Sequence, residues 1–336
     1  MKIPPRAPER GVRIAGTGSY APPRLLTNDD LAQMVNTSDE WIQQRTGIKR
    51  RHICDPNQES TITMAQAAIE QAMEMGDIDP GTIDLVMLGT TTPEMACPST
   101  AARLAARIGA TPAGAFDLTA ACCGFLYAMN MADSIIRAGR ANRIAVIGAD
   151  AMSTVMDYED RTCSILFGDA AGAAILEPDE DPSRGSVYQT MHADGEGWAS
   201  LYIPRQEAQL VEGDDPDLVK MGCLRMNGRE VYKFAVTRFQ TAIKDALEAT
   251  ELAPEDVGTY ICHQSNARII ESAIEKLGLP PERVLINIDE YGNTAAGSVG
   301  LCLDELLRGN RIDAGKPTLM VAFGGGMTWS SSVWCH

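Results

Sequence analysis

Four places along this 336-residue chain carry residue types suited to thioester chemistry. Cys122, in DLTAACCGFLYAM, follows an apolar stretch and precedes Gly124 and a long amphipathic segment. A thiol at such a strand-to-helix elbow faces unpaired amides and the positive end of the helix, which favour the thiolate. Cysteines so placed have pKa values of roughly 3.5–7.5. The alternative is a core thiol packed in an Ala-rich turn. His263 stands in TYICHQSN, Asn293 in YGNTAAGS, and Gly324-Gly325-Gly326 follows an apolar run near the C-terminus. Taken singly, a strand-end histidine is a hydrogen-bonded structural residue, Asn-Thr beside Gly is turn chemistry, and three glycines are a loop needing positive φ. Taken together, a Cys with a His and an Asn points to an acyl-thioester intermediate, with His and the amide donating to a developing oxyanion.

The elements that must position these residues occur twice. A helical stripe at Ala65, Ala68, Ile69, Ala72 and Met73 recurs 174 positions later at Phe239, Ala242, Ile243, Ala246 and Leu247. Each stripe leads through a proline turn (Asp79-Pro80; Ala253-Pro254) into a short apolar strand, Leu85–Leu88 or Tyr260–Cys262. A helix, a Gly turn (Gly109; Gly278) and a second strand follow, predicted at Ala115–Leu118 and Val284–Ile288. Then come an elbow, a long helix and a last strand, Ile144–Ile147 and Thr318–Ala322. The two elbow helices align at an offset of 170, Phe125 with Ala295 and Ile136 with Leu306, which sets Asn293 opposite Cys123. Alternating strands and helices predict an α/β fold with mostly parallel sheets covered on both faces. Two such halves, 1–178 and 179–336, meet in the acidic, proline-containing run Glu177–Arg184. A pseudo-twofold axis between them would bring both elbows and both strand ends to one place.

Composition bounds the partners. Lys and Arg number 29 against 45 Asp and Glu, a net charge of −16, with 45% apolar and 22% charged residues. That is globular, large enough for a core without staples, and long enough for about two domains. The acidity argues against nucleic acid or an anionic membrane as partner, but it leaves room for a small basic mouth. Nine cysteines without a pair of CxxC motifs and without HExxH argue against a structural metal. The N-terminus MKIPPRAPERGVRI lacks the apolar core of a secretory signal, and no run approaches the roughly 18 apolar residues of a membrane span. Reduced thiols in the cytoplasm are the expectation, most of them buried.

The chain resembles β-ketoacyl-acyl-carrier-protein synthase III, the initiating condensing enzyme of fatty-acid synthesis in the thiolase superfamily. The resemblance rests on GVRIAGTGSYAP, TSDEWIQQRTGIKRRHI, DLTAACCGFLYAM, LFGDAAGAAIL, MNGREVYKFAV, HQSNARI, YGNTAAGSV and FGGGMTWSS, in order along nearly the whole chain. It implies a thiolase-like fold of two pseudo-symmetric halves layered αβαβα. It makes Cys122 the acyl acceptor, and His263 and Asn293 the donors to the malonyl thioester oxygen. The oxyanion hole falls to the amides of Cys122 and Gly325, and Phe323 is the aromatic beside the malonyl site. Trp41 and Arg161 would sandwich the coenzyme A adenine, Arg45 would meet its phosphates, and Asn266 and Arg268 would line the mouth used by coenzyme A and the carrier protein. Acyl-CoA and malonyl-acyl-carrier protein are the implied partners, with a homodimer, no metal and no cofactor beyond the thioester substrate. Lys49, Arg50 and Arg51 join Arg45 in sequence and would extend the basic mouth.

Two positions depart from the family's pattern. Cys123 takes a place usually held by a small residue; packing is the simpler reading, a redox-sensitive vicinal pair the other. Cys97, in EMACPST, falls where a side chain crosses the dimer interface to line the partner's acyl pocket, and its small size suggests a roomier pocket for longer or branched primers. A related initiating ketosynthase of a secondary pathway would share every catalytic residue. Elongating ketosynthases pair Cys with two histidines and are disfavoured by Asn293. 3-Hydroxy-3-methylglutaryl-CoA synthase needs an acidic base, and Glu94 lies near but not on that motif. A non-catalytic carrier-binding scaffold would have no reason to keep Cys122, His263 and Asn293 together.

Overall fold

The computed structural model describes residues 10–217 and 219–336; most of the N-terminal segment read for a signal lies outside them. Strand β1 (Gly11–Tyr20), helix α1 (Thr61–Gly76), β2 (Leu85–Gly89), α2 (Thr100–Arg107), β3 (Gly114–Leu118), α3 (Gly124–Arg137), β4 (Ile144–Asp150) and β5 (Ala170–Asp179) build the first half. The second comprises β6 (Gly185–Ala193), α4 (Gly228–Thr250), β7 (Thr259–Cys262), α5 (Ala267–Leu277), α6 (Gly297–Arg308), β8 (Thr318–Gly324) and β9 (Thr328–Cys335). The first sheet runs β1-β5-β4-β2-β3 and the second β7-β8-β9-β6, the same order less its last strand. In each sheet the strands at the site end, β2 with β4 and β7 with β8, pair in parallel, as does β3 with β2. The pairings of β5 with β4 and β1 and of β9 with β8 and β6 are antiparallel, so the expectation of mostly parallel sheets is corrected to mixed ones.

Strand alternation sorts the layers. Val86, Leu88, Ala145 and Ile147 face α1 and α2, whereas Met87, Ile144 and Val146 face α3. In the second sheet Leu319 and Val321 pack on α4 and α5, and Met320 and Ala322 face inward. Helices α3 and α6 therefore lie between the sheets, giving five layers, αβαβα. The sandwich is tight because glycines line it: a Cβ on Gly148 would sit 2.1 Å from the Ala296 carbonyl oxygen. Cys123 is fully buried in this inner layer beside Met87 and Phe125.

One offset relates three strand pairs and the elbows of the two halves. Gly11 and Gly185, Leu85 and Thr259, and Ile144 and Thr318 open equivalent strands, each pair 174 apart. The elbows obey the same offset, because the left-handed residues that make them are Ala121 (φ 47°) and Ala295 (φ 45°). The alignment at 170 is thus corrected: Asn293 is equivalent to Thr119, not Cys123, and Cys122 to Ala296. A four-residue shift keeps a helix's apolar face in phase, so the stripes also align at 170.

A second correction concerns Val284–Ile288. It forms one bridge, Val284 with Tyr260, and then turns into a short helix at Ile288–Tyr291. The side chain of buried Gln264 substitutes for the missing ladder. Its Nε2 donates to Cys262 O and Leu285 O at 3.0 Å each, and its Oε1 accepts from Asn287 N at 3.1 Å. Among the described residues no helix is long and apolar enough to cross a membrane.

Candidate active site

Cys122 lies in a single 3-10 turn, Ala121–Cys123, between β3 and α3. Only 7% of it is exposed, yet it borders two compartments. One is a cavity of about 590 Å³ walled by Thr91, Met152, Val155, Phe167, Ile203 and Leu224. The other is a narrow chamber of about 90 Å³ that also contains His263, Asn293 and Phe323. The structure thus unites the three residues singled out from sequence, from the ends of β3 and β7 and from the α6 elbow. By the 174 offset, His263 stands where the first half has Gly89 and Cys122 where the second has Ala296, so each half supplies what its counterpart lacks.

The chamber holds polar groups with hydrogen-bonding capacity to spare. His263 is 1% exposed, and neither ring nitrogen has a partner among the described residues. Burial lowers its pKa to about 3, so it is a neutral imidazole at physiological pH. Its ring meets Phe323 edge to face, centroids 5.4 Å apart. Asn293 Oδ1 accepts from Ala295 N at 3.0 Å, which leaves its NH2 as the outward group. The Cys122 thiol, in contrast, is pushed well above its usual range, first by burial and then by Cys123 and Asp150; its own backbone amide opposes this. The expected depression of its pKa is therefore reversed, because desolvation outweighs the nearby amide.

Of the three glycines, Gly324 is pressed against Cys122: a Cβ there would lie 2.7 Å from Cys122 N. Gly325 lines the larger cavity at the start of another 3-10 turn. Amides in a helix's first turn have no partner within it, and those of Cys122 and Gly325 occupy such places.

The outer residues form a rim. The helix Asp39–Thr46, capped by Ser38 and ended by Gly47 at φ 82°, carries Trp41 and Arg45. The guanidinium carbons of Arg161 and Arg45 lie 4.9 and 5.6 Å from the Trp41 ring centre. Asn266 is committed structurally, donating to Arg45 O at 3.0 Å while capping α5 through Arg268 N at 3.0 Å. Exposed Arg268 lies 5.9 Å from the Tyr232 ring centre, and Tyr232 borders the chamber. The extended basic mouth is corrected here. Lys49 pairs with Asp289 and Arg50 with Glu290. Arg51 is completely buried, its guanidinium donating to Leu26 O, Asn28 Oδ1 and Ile165 O. Cys97 is exposed and does not wall its own chain's cavity. Sequence reasoning missed Gln264 and Asp150; the latter was visible as an acidic end to the apolar strand IAVIGAD.

The chain matches the 3-oxoacyl-[acyl-carrier-protein] synthase III model over residues 116–195 and that family's C-terminal model over 247–335. A β-ketoacyl-[acyl-carrier-protein] synthase III of Xanthomonas campestris is 44% identical over 322 residues, 96% of this chain and 97% of the relative. The crystal structure of the 3-oxoacyl-[acyl-carrier-protein] synthase III of Aquifex aeolicus superimposes with a TM-score of 0.89 at 40% identity, covering 97% of this chain and all of that one. The priming β-ketosynthase of the R1128 polyketide pathway gives 0.90 at 35% identity, covering 99% and 98%. The chain belongs to the 3-oxoacyl-[acyl-carrier-protein] synthase III family and is an acyltransferase of the condensing type.

Proposed function

We propose that this enzyme carries out the first condensation of fatty-acid synthesis, joining an acyl-CoA primer to malonyl-acyl-carrier protein through an acyl-Cys122 intermediate. The observation that carries the proposal is the place of Cys122 on both compartments. An acyl group on its sulfur extends into the larger cavity while an extender reaches the same atom through the chamber of His263 and Asn293. In the first step the sulfur attacks the primer's thioester carbonyl, and the amides of Cys122 and Gly325 hold the oxyanion. The thiol proton ends on the departing coenzyme A sulfur, so the transfer is proton-neutral. In the second, malonyl loses CO2; neutral His263 and the Asn293 amide hold the resulting enolate oxygen more tightly than the starting carbonyl, which is what accelerates the step. The enolate carbon attacks acyl-Cys122, and the released thiolate takes up one proton. Phe323 keeps the carboxylate side apolar, favouring its departure.

An adenine ring between Trp41 and Arg161 needs two van der Waals gaps, about 7 Å in all, so Arg161 must swing off the ring as coenzyme A binds. Arg45 and Arg268 receive phosphates and the carrier protein, and Asn266 shapes the mouth. No metal or cofactor is used. A second copy, in a cytoplasmic homodimer, would bring its Cys97 loop to the acyl cavity. The R1128 likeness favours one other reading, a priming ketosynthase of a secondary pathway with the same cycle. Intact-mass measurement after incubation with acetyl-, butyryl-, isobutyryl- and octanoyl-CoA tests the proposal. Acyl adducts are expected on the native enzyme and none on Cys122→Ser; equal labelling of the variant would overturn it. A dominant preference for acetyl-CoA would contradict the roomy pocket.

A further inference from the structure

Asp150 ends β4 with 0% exposure; burial raises its pKa, and it forms no ion pair among the described residues. A lone carboxylate in a core is costly unless its hydrogen bonds are complete. Oδ1 accepts from Thr90 Oγ1 at 3.0 Å, from Thr91 N and Oγ1 at 2.7 and 2.9 Å, and from Thr92 N and Oγ1 at 3.2 Å each. Oδ2 accepts from Ala296 N at 2.9 Å, across the boundary between the halves. Backbone N–H donors on both oxygens match the ionised form. The two ends of this clamp serve the two compartments. Thr91 and Thr92 wall the acyl cavity. Ala296 follows Ala295, whose amide holds Asn293 Oδ1 and so aims the amide group that donates to the extender.

We infer that Asp150 is a positioning residue that locks the Asn293 elbow of one half to the acyl-cavity wall of the other, so that donor and acyl group keep register at Cys122. The inference rests on the proposed function.

The asymmetry of the clamp gives it a distinctive test. In Asp150→Asn the remaining oxygen stays with the threonines, and the new NH2 confronts the Ala296 N–H, donor against donor. The defect should therefore fall on Asn293. We expect kcat for malonyl-acyl-carrier-protein decarboxylation to fall at least tenfold, with its KM and the rate of acylation by acetyl-CoA changed less than threefold. Thr90→Val removes a hydroxyl from the other end, at a residue outside the cavity lining. It should shift acyl-chain preference more than threefold while changing decarboxylation less than threefold. Equal slowing of both partial reactions in Asp150→Asn, or of neither, overturns the inference; a general loss of folding lowers them in parallel and cannot mimic the split. If Asp150→Asn does not fold, Thr90→Val decides, and an unchanged chain preference overturns the idea. Failure of the native enzyme to acquire any acyl adduct would instead remove the proposed function itself.

Discussion

Cys122 is buried and uncharged at rest, so its reactivity depends on when the proton leaves rather than on a standing thiolate. Because burial raises its pKa, alkylation by iodoacetamide should accelerate with pH up to and beyond 9; a plateau below pH 8 would show a depressed pKa. In the proposed cycle Asn293 serves the condensation half. Losing one oxyanion donor costs about 2.7–4 kcal/mol, or 10²–10³ in rate, so Asn293→Ala should lower malonyl decarboxylation by that factor and leave Cys122 acylation nearly intact. Equal loss of both steps in the partial reactions would contradict the division of labour. His263 has a stability signature. Its pKa is lowered from 6.5 to about 3 on folding, so between those values the unfolded chain binds a proton that the folded one does not. Its contribution is complete above pH 6.5 and declines by roughly 1.4 kcal/mol per unit as pH falls toward 3. Urea unfolding at pH 7 and pH 5 should show a smaller acid loss in His263→Gln than in the native protein.

At the scale of elements, the site depends on how closely strand ends approach the elbows. The end of β8 sits against the nucleophile's turn with no room for a methyl group: an added Cβ on Gly324 would lie 2.7 Å from Cys122 N and 3.1 Å from Ala121 Cβ. Backbone at that distance cannot yield, so Gly324→Ala should displace the Cys122 amide and reduce acylation at least tenfold. Gly195→Ala, where an added Cβ meets nothing within 4 Å, should leave the acylation rate unchanged, as stopped-flow or quenched mass assays can compare. Core strands and helices were legible from periodicity, since Leu85–Gly89, Ile144–Asp150 and Thr61–Gly76 bury the predicted faces. Val284–Ile288 was not, because its apolar residues suit a strand while, beyond one bridge to Tyr260, backbone groups of Leu285 and Asn287 pair with the Gln264 side chain. No local pattern encodes a side chain acting as a ladder.

Across the whole molecule the charge of −16 and anionic ligands remain compatible, but through fewer cations than the sequence suggested. Lys49 and Arg50 are neutralised by Asp289 and Glu290, and Arg51 holds the interior. Arg45, Arg161 and Arg268 remain around Trp41 and the chamber mouth. Attraction of an acidic carrier protein by so few exposed charges is sensitive to screening at Debye lengths near 8–10 Å. The KM for malonyl-acyl-carrier protein should rise several-fold between 0.05 and 0.5 M salt (roughly a threefold drop in Debye length). Arg268→Glu should raise that KM more than the KM for acyl-CoA, and equal effects on both would count against a carrier-binding role.

By itself the sequence determined the reactive residue types, the duplicated order of strands and helices, and the family, because apolar periodicity and short motifs are local properties. Only the tertiary structure decided what those residues meet. It set the two elbows at an offset of 174, and it reversed the direction of the Cys122 pKa shift, since burial depends on neighbours far along the chain. It drew Arg51 inside and left Arg268 outside. It also showed Asp150 reaching 146 residues forward to Ala296. Desolvation and long-range hydrogen bonds are properties of assembled surfaces, and no window of residues contains them.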